Sequence, residues 1–578
     1  MRPDQDSAMR GEAPCAAHAI LISIATALLL APFLGKAYHI DDPMFLWVAQ
    51  QIRAHPLDFY GFDVNWYGIV MPMHEVTQNP PLASYFIALN SLAVGWSELG
   101  QHVCFLLPAI ALSLGIYTLA ARLCSHALLS ALIAILTPVF AVCSSSIMCD
   151  VPMMSLWLWS VIAWENGLRR SQLPWLLLAA LLIAAAALTK YFGAALIPLL
   201  LAYSIAYRRG VGLWMCWLVI PVLALVAFEF WTKRLYGHGL LAGALDYPQA
   251  TRALRPRGST VLMQGLAFTG GCMLPALFFA PLMWSRGVLG AAIVACGALA
   301  LAAVRVGAWQ TLQFTTPEGP DWLAAVQAAA LIITGVSVLA AAAVDLYRRR
   351  DAGSVLLAAW VAGTFVFATY LNWSVTARTL LPMAPAVAIL IVRRLEDRGA
   401  LPRQDRKSQN AHFVRWTHRF DLRIACALLA SAVIAMAAAW SDHLAAAAAR
   451  EAAHRVAAVQ RPSVVTLWFM GHWGWQHYLQ EAGAKPLDFD HSEILPGDVI
   501  AVADYGSNIV MLPAGAVRRS EVIDIPTLGW LTVFHPLSGA GFHSSLYGPL
   551  PLVVDDVPPE RFEVFVARDT IRLKIPTR

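Results

Sequence analysis

Two acidic sites in this chain border long apolar runs, where a carboxylate is costly to desolvate and is retained when it lines a polar cavity. Asp41 and Asp42 directly follow the first such run, beside His39, and Asp150 opens a later one with Pro152 in its first turn. A carboxylate so placed can serve as general base for a hydroxyl, and a second as its electrostatic partner or a metal ligand. Two cations suit a phosphate leaving group, whose charge must be stabilised as its bond breaks. They are Lys190, within Leu188-Thr189-Lys190-Tyr191-Phe192-Gly193, and Arg378, at the start of another apolar stretch. Each has a plainer explanation beside this one. Asp150 suits a helix first turn, and long cationic side chains snorkel at membrane interfaces. His74 and Glu75 lie in the first long loop, where either can meet a substrate or a divalent metal, but two adjacent residues do not make a metal site. The metal question therefore stays open, and no other cofactor is called for.

These residues must be positioned by membrane helices. Of 578 residues, 58% are hydrophobic and 13% charged, against roughly 25% charged in soluble domains. Along residues 1–440, apolar runs of about 17 to 25 residues recur between short polar breaks, the length that crosses a bilayer core. The reading is a polytopic α-helical membrane protein with about thirteen spans, near 18–36, 103–122, 127–145, 151–167, 173–189, 191–207, 212–231, 261–284, 287–305, 322–346, 354–371, 379–393 and 422–440. The first run lacks a small-residue cleavage site and is kept as a span.

Orientation follows from basic residues in short loops, which stay in the cytoplasm. Arg122, Arg169-Arg170, Arg208-Arg209, Arg286, Arg348-Arg349-Arg350 and the segment from Arg393 to Arg423 fall on one side if the apolar stretch Pro81 to Val94 is a juxtamembrane helix that does not cross. The N-terminus is then cytoplasmic and the C-terminus outside. The first loop, 37–102, faces outward with Asp150, Lys190, Arg378 and the loop 232–260, which carries Tyr236, His238 and Arg252. Trp47, Trp66 and Tyr67 suit an interfacial belt. The stretch Ala400 to Arg419 reads as a topogenic cytoplasmic linker.

From residue 441 the composition changes. Val464 to Phe469, Asp498 to Ala503, Trp530 to Phe534 and Phe562 to Val566 look like strands, and Trp473 to Ala482 like a helix. A small extracytoplasmic α/β domain over 441–578 is expected. No cysteine lies in it, and the nine in the membrane part are mostly apolar packing residues, with Cys143 and Cys149 near enough in sequence to pair. The net charge of +5 sits in short loops, so no nucleic-acid surface is expected. There is no internal repeat.

In four places the sequence resembles the GT-C membrane glycosyltransferases, specifically the protein O-mannosyltransferase-like group that includes aminoarabinose lipid A transferases. They are Asp41-Asp42 after the first span, Asn79-Pro80-Pro81-Leu82, Asp150-Val151-Pro152-Met153, and Leu188-Thr189-Lys190, with Arg378, Pro382 and Pro385 similar to a later pattern. The resemblance implies a GT-C-like fold in a bacterial inner membrane. It implies a polyprenyl-phosphate monosaccharide donor, a lipid, glycan or protein acceptor, and extracytoplasmic transfer with inversion. Asp41 would be the general base and Asp150 the second acidic site, with Asp42, Lys190, Arg378 and His74 on the donor side. Asp42 stands where the family has Glu, and Asn79 where aminoarabinose transferases have Lys, which weakens transfer of that sugar. Gly471-His472-Trp473-Gly474-Trp475 resembles a segment of uncharacterised members. A transporter also fits many helices and boundary charges, but transporters carry repeated halves and midplane charges. A structural scaffold would leave Asp41 dispensable.

Overall fold

The computed structural model describes residues 15–77, 79–251, 258–401, 421–459 and 465–573, the side chains of 248–250 excepted. Arg252, most of the basic linker and Val464 lie outside the described residues.

Eight helices among the described residues are long and apolar enough to span a membrane: Ala16–Phe33, Glu98–Leu123, Tyr191–Arg208, Leu213–Tyr236, Arg286–Val306, Trp322–Arg349, Ala352–Leu371 and Leu422–Ala458. Ala127–Ile135 and Pro138–Ser144 make a ninth if counted together, bent by 64°. The bend has a local cause, because Pro138 cannot continue the preceding helix and the Thr137 hydroxyl caps Phe140 N. The other expected spans also hold helices, namely Asp150–Arg170, Leu173–Thr189, Ser259–Cys272 and Ala384–Asp397. They fall short of the span criterion because they are more polar, shorter, or broken at Pro275. Helices thus stand at the expected positions, and among the described residues eight or nine of them are of spanning length and apolarity, fewer than the expected thirteen spans. Pro81 to Val94 contains a helix of 13 residues, Leu82–Val94, too short to cross.

Burial follows the solvent these helices meet. Arg286–Val306 turns Ile293 and Val294 outward, each 73% exposed, which is favourable against lipid and costly against water. Inside the bundle, a Cβ on Gly270 would lie 1.9 Å from the Leu331 carbonyl, and one on Gly335 2.1 Å from that of Leu266. The backbones of Ser259–Cys272 and Trp322–Arg349 therefore touch, as small residues allow in membrane helix pairs.

The last long helix runs to Ala458, well past the expected end of its span at 440. Beyond it stands a five-stranded sheet in the order Val517–Ile525, Glu560–Ala567, Val499–Ala503, Leu467–Met470, Lys485–Pro486. Ile500 pairs with Trp468 in a parallel ladder and with Phe565 in an antiparallel one. The helix Trp473–Glu481 makes the crossover between the parallel strands Leu467–Met470 and Lys485–Pro486. The expected strand Trp530 to Phe534 is two short ones, Leu531–Thr532 and Phe534–His535. The region around them docks on the bundle, with Ala377 N donating to the Phe542 carbonyl at 2.8 Å and Ser545 N to that of Val375 at 2.9 Å. Cys143 and Cys149 are both free thiols.

Candidate active site

Four helix ends meet where the carboxylates and cations lie. Asp41 follows a short turn after the first helix and immediately precedes the helix Asp42–Ala54. Arg378 sits in the single turn Ala377–Leu380, opened by the Thr376 hydroxyl accepting from Thr379 N at 3.2 Å. Its Nη1 is 2.8 Å from Asp41 Oδ2. Asp150 is the first residue of the helix Asp150–Arg170, and Lys190 directly follows Leu173–Thr189, the helix packed alongside. Lys190 Nζ donates to Asp150 Oδ1 at 2.5 Å. Arg378 also interacts with the charge of Asp150, which joins the two pairs into one alternating cluster.

The cluster is neither sealed nor fully wet. The side chains of Asp41, Arg378 and Lys190 are 20%, 17% and 19% exposed, whereas that of Asp150 is 3% exposed. Asp150 spends one oxygen on Lys190, and its buried Oδ2 has no hydrogen-bond partner. Its carboxylate thus serves an ion pair rather than a helix cap. Lys190 uses one of three N–H donors on Asp150, and Arg378 has five N–H groups in a fork suited to phosphate.

Asp42 occupies a different environment from its neighbour. It is fully buried and accepts hydrogen bonds from His39 N at 3.0 Å and Ile147 N at 3.1 Å. Burial pushes its carboxyl up to about 7, against the opposing pull of Lys36 and the two backbone N–H groups. Ile40, between His39 and Asp41 in the turn, has φ of +48°, a costly conformation for a β-branched residue. Asp42 therefore anchors the turn that presents Asp41, and it faces backbone rather than the cluster.

His74 stands apart from the four. Its ring stacks on Tyr236 at 4.8 Å and lies 5.1 Å from His238, and burial followed by the charge of His238 lowers its pKa. The motif around Asn79 adjoins the site from the other side: Tyr60 OH donates to the Asn79 carbonyl at 2.5 Å, and the Cys149 thiol lies 3.8 Å from Asn79 Oδ1, one residue before Asp150.

The C-terminal part reaches the same place. Burial and then the negative charge of Asp41 push the Tyr547 hydroxyl up to about 12. Its ring packs on Phe534 at 4.9 Å and on Trp473 at 5.6 Å. Gly474 is pressed against the turn before Asp41, since a Cβ there would lie 2.0 Å from the Tyr38 carbonyl oxygen. That contact gives the Gly471-His472-Trp473-Gly474-Trp475 segment a mechanical reason for its second glycine.

Four residues near the site were not evident as such from sequence: Lys36, Asp442, His543 and Tyr547. Lys36 and Asp442 are completely buried and paired at 2.5 Å. A carboxylate in Trp440-Ser441-Asp442-His443, at the end of an apolar run, was the available signal. Nothing in the sequence distinguished His543 or Tyr547 from ordinary residues of a β domain.

With the geometry in place, the similarities are informative. Residues 78–231 match the family described as dolichyl-phosphate-mannose-protein mannosyltransferase. This stretch is thus similar to a mannosyltransferase family. It contains Asn79 to Leu82, Asp150 and Lys190, begins after Asp41 and ends before Arg378. No curated protein matches the chain in sequence. Among solved structures, the oligosaccharyltransferase AglB of Archaeoglobus fulgidus, in complex with an inhibitory peptide and a dolichol-phosphate, is 16% identical with a TM-score of 0.43. That match covers 82% of this chain, which spans 64% of the archaeal one. ArnT of Cupriavidus metallidurans bound to undecaprenyl phosphate is 14% identical with a TM-score of 0.39, over 85% of this chain and 94% of that one. The mycobacterial arabinofuranosyltransferase AftD is 12% identical with a TM-score of 0.39, over 96% of this chain and 40% of that one.

Proposed function

We propose that the chain transfers a monosaccharide from a polyprenyl-phosphate carrier to an acceptor hydroxyl at the extracytoplasmic face of a bacterial inner membrane. The observation that carries this reading is the partly open cluster of Asp41, Arg378, Asp150 and Lys190, two carboxylates and two cations at converging helix ends. The match of residues 78–231 to a lipid-phosphate-sugar mannosyltransferase family supports the donor class.

In this reaction the acceptor oxygen attacks the anomeric carbon as the bond from that carbon to the phosphate oxygen breaks. The acceptor proton passes to Asp41, and the bonding pair leaves on the lipid phosphate. Attack opposite the leaving group inverts the anomeric centre. Asp41 suits the base because it is the more open carboxylate of the cluster. Arg378 and Lys190 present N–H donors beyond those spent on Asp41 and Asp150, and a fixed cation beside a departing phosphate acts where charge develops. Asp150 holds Lys190 in place and is a positioning residue. Asp42 holds the turn that carries Asp41. In this account the C-terminal domain, 441–578, closes the site through Tyr547 and Trp473.

The test is a panel of radiolabelled polyprenyl-phosphate sugars offered to membranes containing the chain, with Arg378→Ala and Lys190→Ala alongside. Label should move from one donor into an acceptor in the wild type, and both variants should lose donor use by about tenfold or more, as expected for a charge-assisted contact worth ~1.5–3 kcal/mol. Release of label from no donor, or unchanged donor kinetics in both variants, would contradict the reading.

A further inference from the structure

Behind the open cluster lies a second, buried set of groups that the transfer reaction does not use. Asp442, on the last long helix, is fully buried. Its Oδ2 is 2.5 Å from Lys36 Nζ, which also reaches the hydroxyls of Ser145 and Ser146 at 3.3 Å. Its other oxygen, Oδ1, faces two imidazoles from distant parts of the chain: His543 Nε2 at 2.8 Å and His39 Nε2 at 3.7 Å. His39 is 6% exposed and His543 5% exposed. The 3.7 Å separation is too long for a hydrogen bond, and His39 Nε2 has no partner although it is buried and aimed at the carboxylate.

We infer that His39, Asp442 and His543 form a binding site for a divalent cation of the zinc class. The three ligand atoms lie within 4.8 Å of one another. Two nitrogens and an oxygen bound at ~2.0–2.1 Å in a tetrahedron would stand roughly 3.3 Å apart, and the measured 2.8 and 3.7 Å bracket that edge. Two imidazoles and one carboxylate are a ligand set that zinc accepts, with a fourth position left for water. Lys36 does not compete for these atoms, because it pairs with the opposite oxygen of Asp442.

The site ties together three segments. His39 lies two residues before Asp41, Asp442 lies within the last long helix, Leu422–Ala458, and His543 belongs to the segment that docks beside Arg378 through Ala377 N and the Phe542 carbonyl. An ion there clamps the C-terminal domain over the turn that presents Asp41.

The test uses the full chain, purified in detergent without chelator, with metal content measured by mass spectrometry before and after incubation with zinc chloride. The wild type should hold about one zinc per chain. His39→Gln and His543→Gln should each weaken zinc binding by at least the ~10- to 100-fold that loss of even an outer partner costs. Cobalt(II) loaded into the wild type should give the visible absorption of a four-coordinate nitrogen and oxygen site and lose it on adding zinc, a readout that does not depend on any variant folding. Wild-type protein that binds no zinc or cobalt, or variants that both retain wild-type metal content, would overturn the inference and leave Asp442 and His543 as an ordinary buried ion pair.

Discussion

Two groups of ion pairs, only a few residues apart in sequence at Asp41 and Lys36, differ most in their access to solvent. Lys36 and Asp442 are 0% exposed, whereas Asp41 and Arg378 are 20% and 17% exposed. Both pairs satisfy charge, but only the second is partly reached by solvent, as the proposed reaction requires. A buried pair must be broken at the full cost of leaving one charge in low dielectric, roughly 3–5 kcal/mol. A partly open pair loses much less, because water reaches the orphaned group. Under the proposed function, stability falls to the buried set and chemistry to the open one, and substitutions can break that division.

The largest effect should come from Asp442→Ala, which strands Lys36. We expect destabilisation of about 3–5 kcal/mol, seen as a lower melting temperature and poor yield in detergent. The double substitution Lys36→Met with Asp442→Leu should recover much of that loss, since removing both charges avoids the orphan. If the double variant is no better than the single, the pair is not what makes Asp442 necessary. Next comes Asp42→Asn. It keeps one acceptor oxygen but turns an amide group toward one of the two backbone donors, so a loss of about 1–3 kcal/mol is expected. Turnover per folded molecule should stay close to wild type. A large fall in turnover with unchanged stability would place Asp42 in the chemistry instead of behind it. The smallest effect belongs to His74→Ala, which should change donor KM by about twofold or less, within the ±0.5 kcal/mol typical of positions away from the main contacts.

Much of the open cluster was legible because it rests on topology. The alternation of basic loops predicts one face for Asp41, Asp150, Lys190 and Arg378, and the folded chain pairs Asp41 with Arg378 and Asp150 with Lys190. The helix positions were likewise legible, since apolar runs of spanning length are a strong signal. Span count was less so, because breaks such as Pro275 and the bend after Ile135 are local events that a hydropathy window averages away. The different fates of Asp41 and Asp42 could not be read from two adjacent identical residues. They are set by the left-handed turn at Ile40 and by Ile147 N, which comes from a distant segment. His543 was silent for a similar reason, because its partner Asp442 is 101 positions away.

The division of labour is tested most directly by Asp41→Asn, measured as single-turnover sugar transfer with the melting temperature of the same preparation. The substitution keeps size and polarity while removing the charge and most of the basicity. If Asp41 takes the acceptor proton, transfer should fall by about 10²- to 10⁴-fold, while donor binding and melting temperature change little. Near-normal transfer by Asp41→Asn, with transfer abolished in Asp150→Asn or Asp42→Asn, would contradict the account.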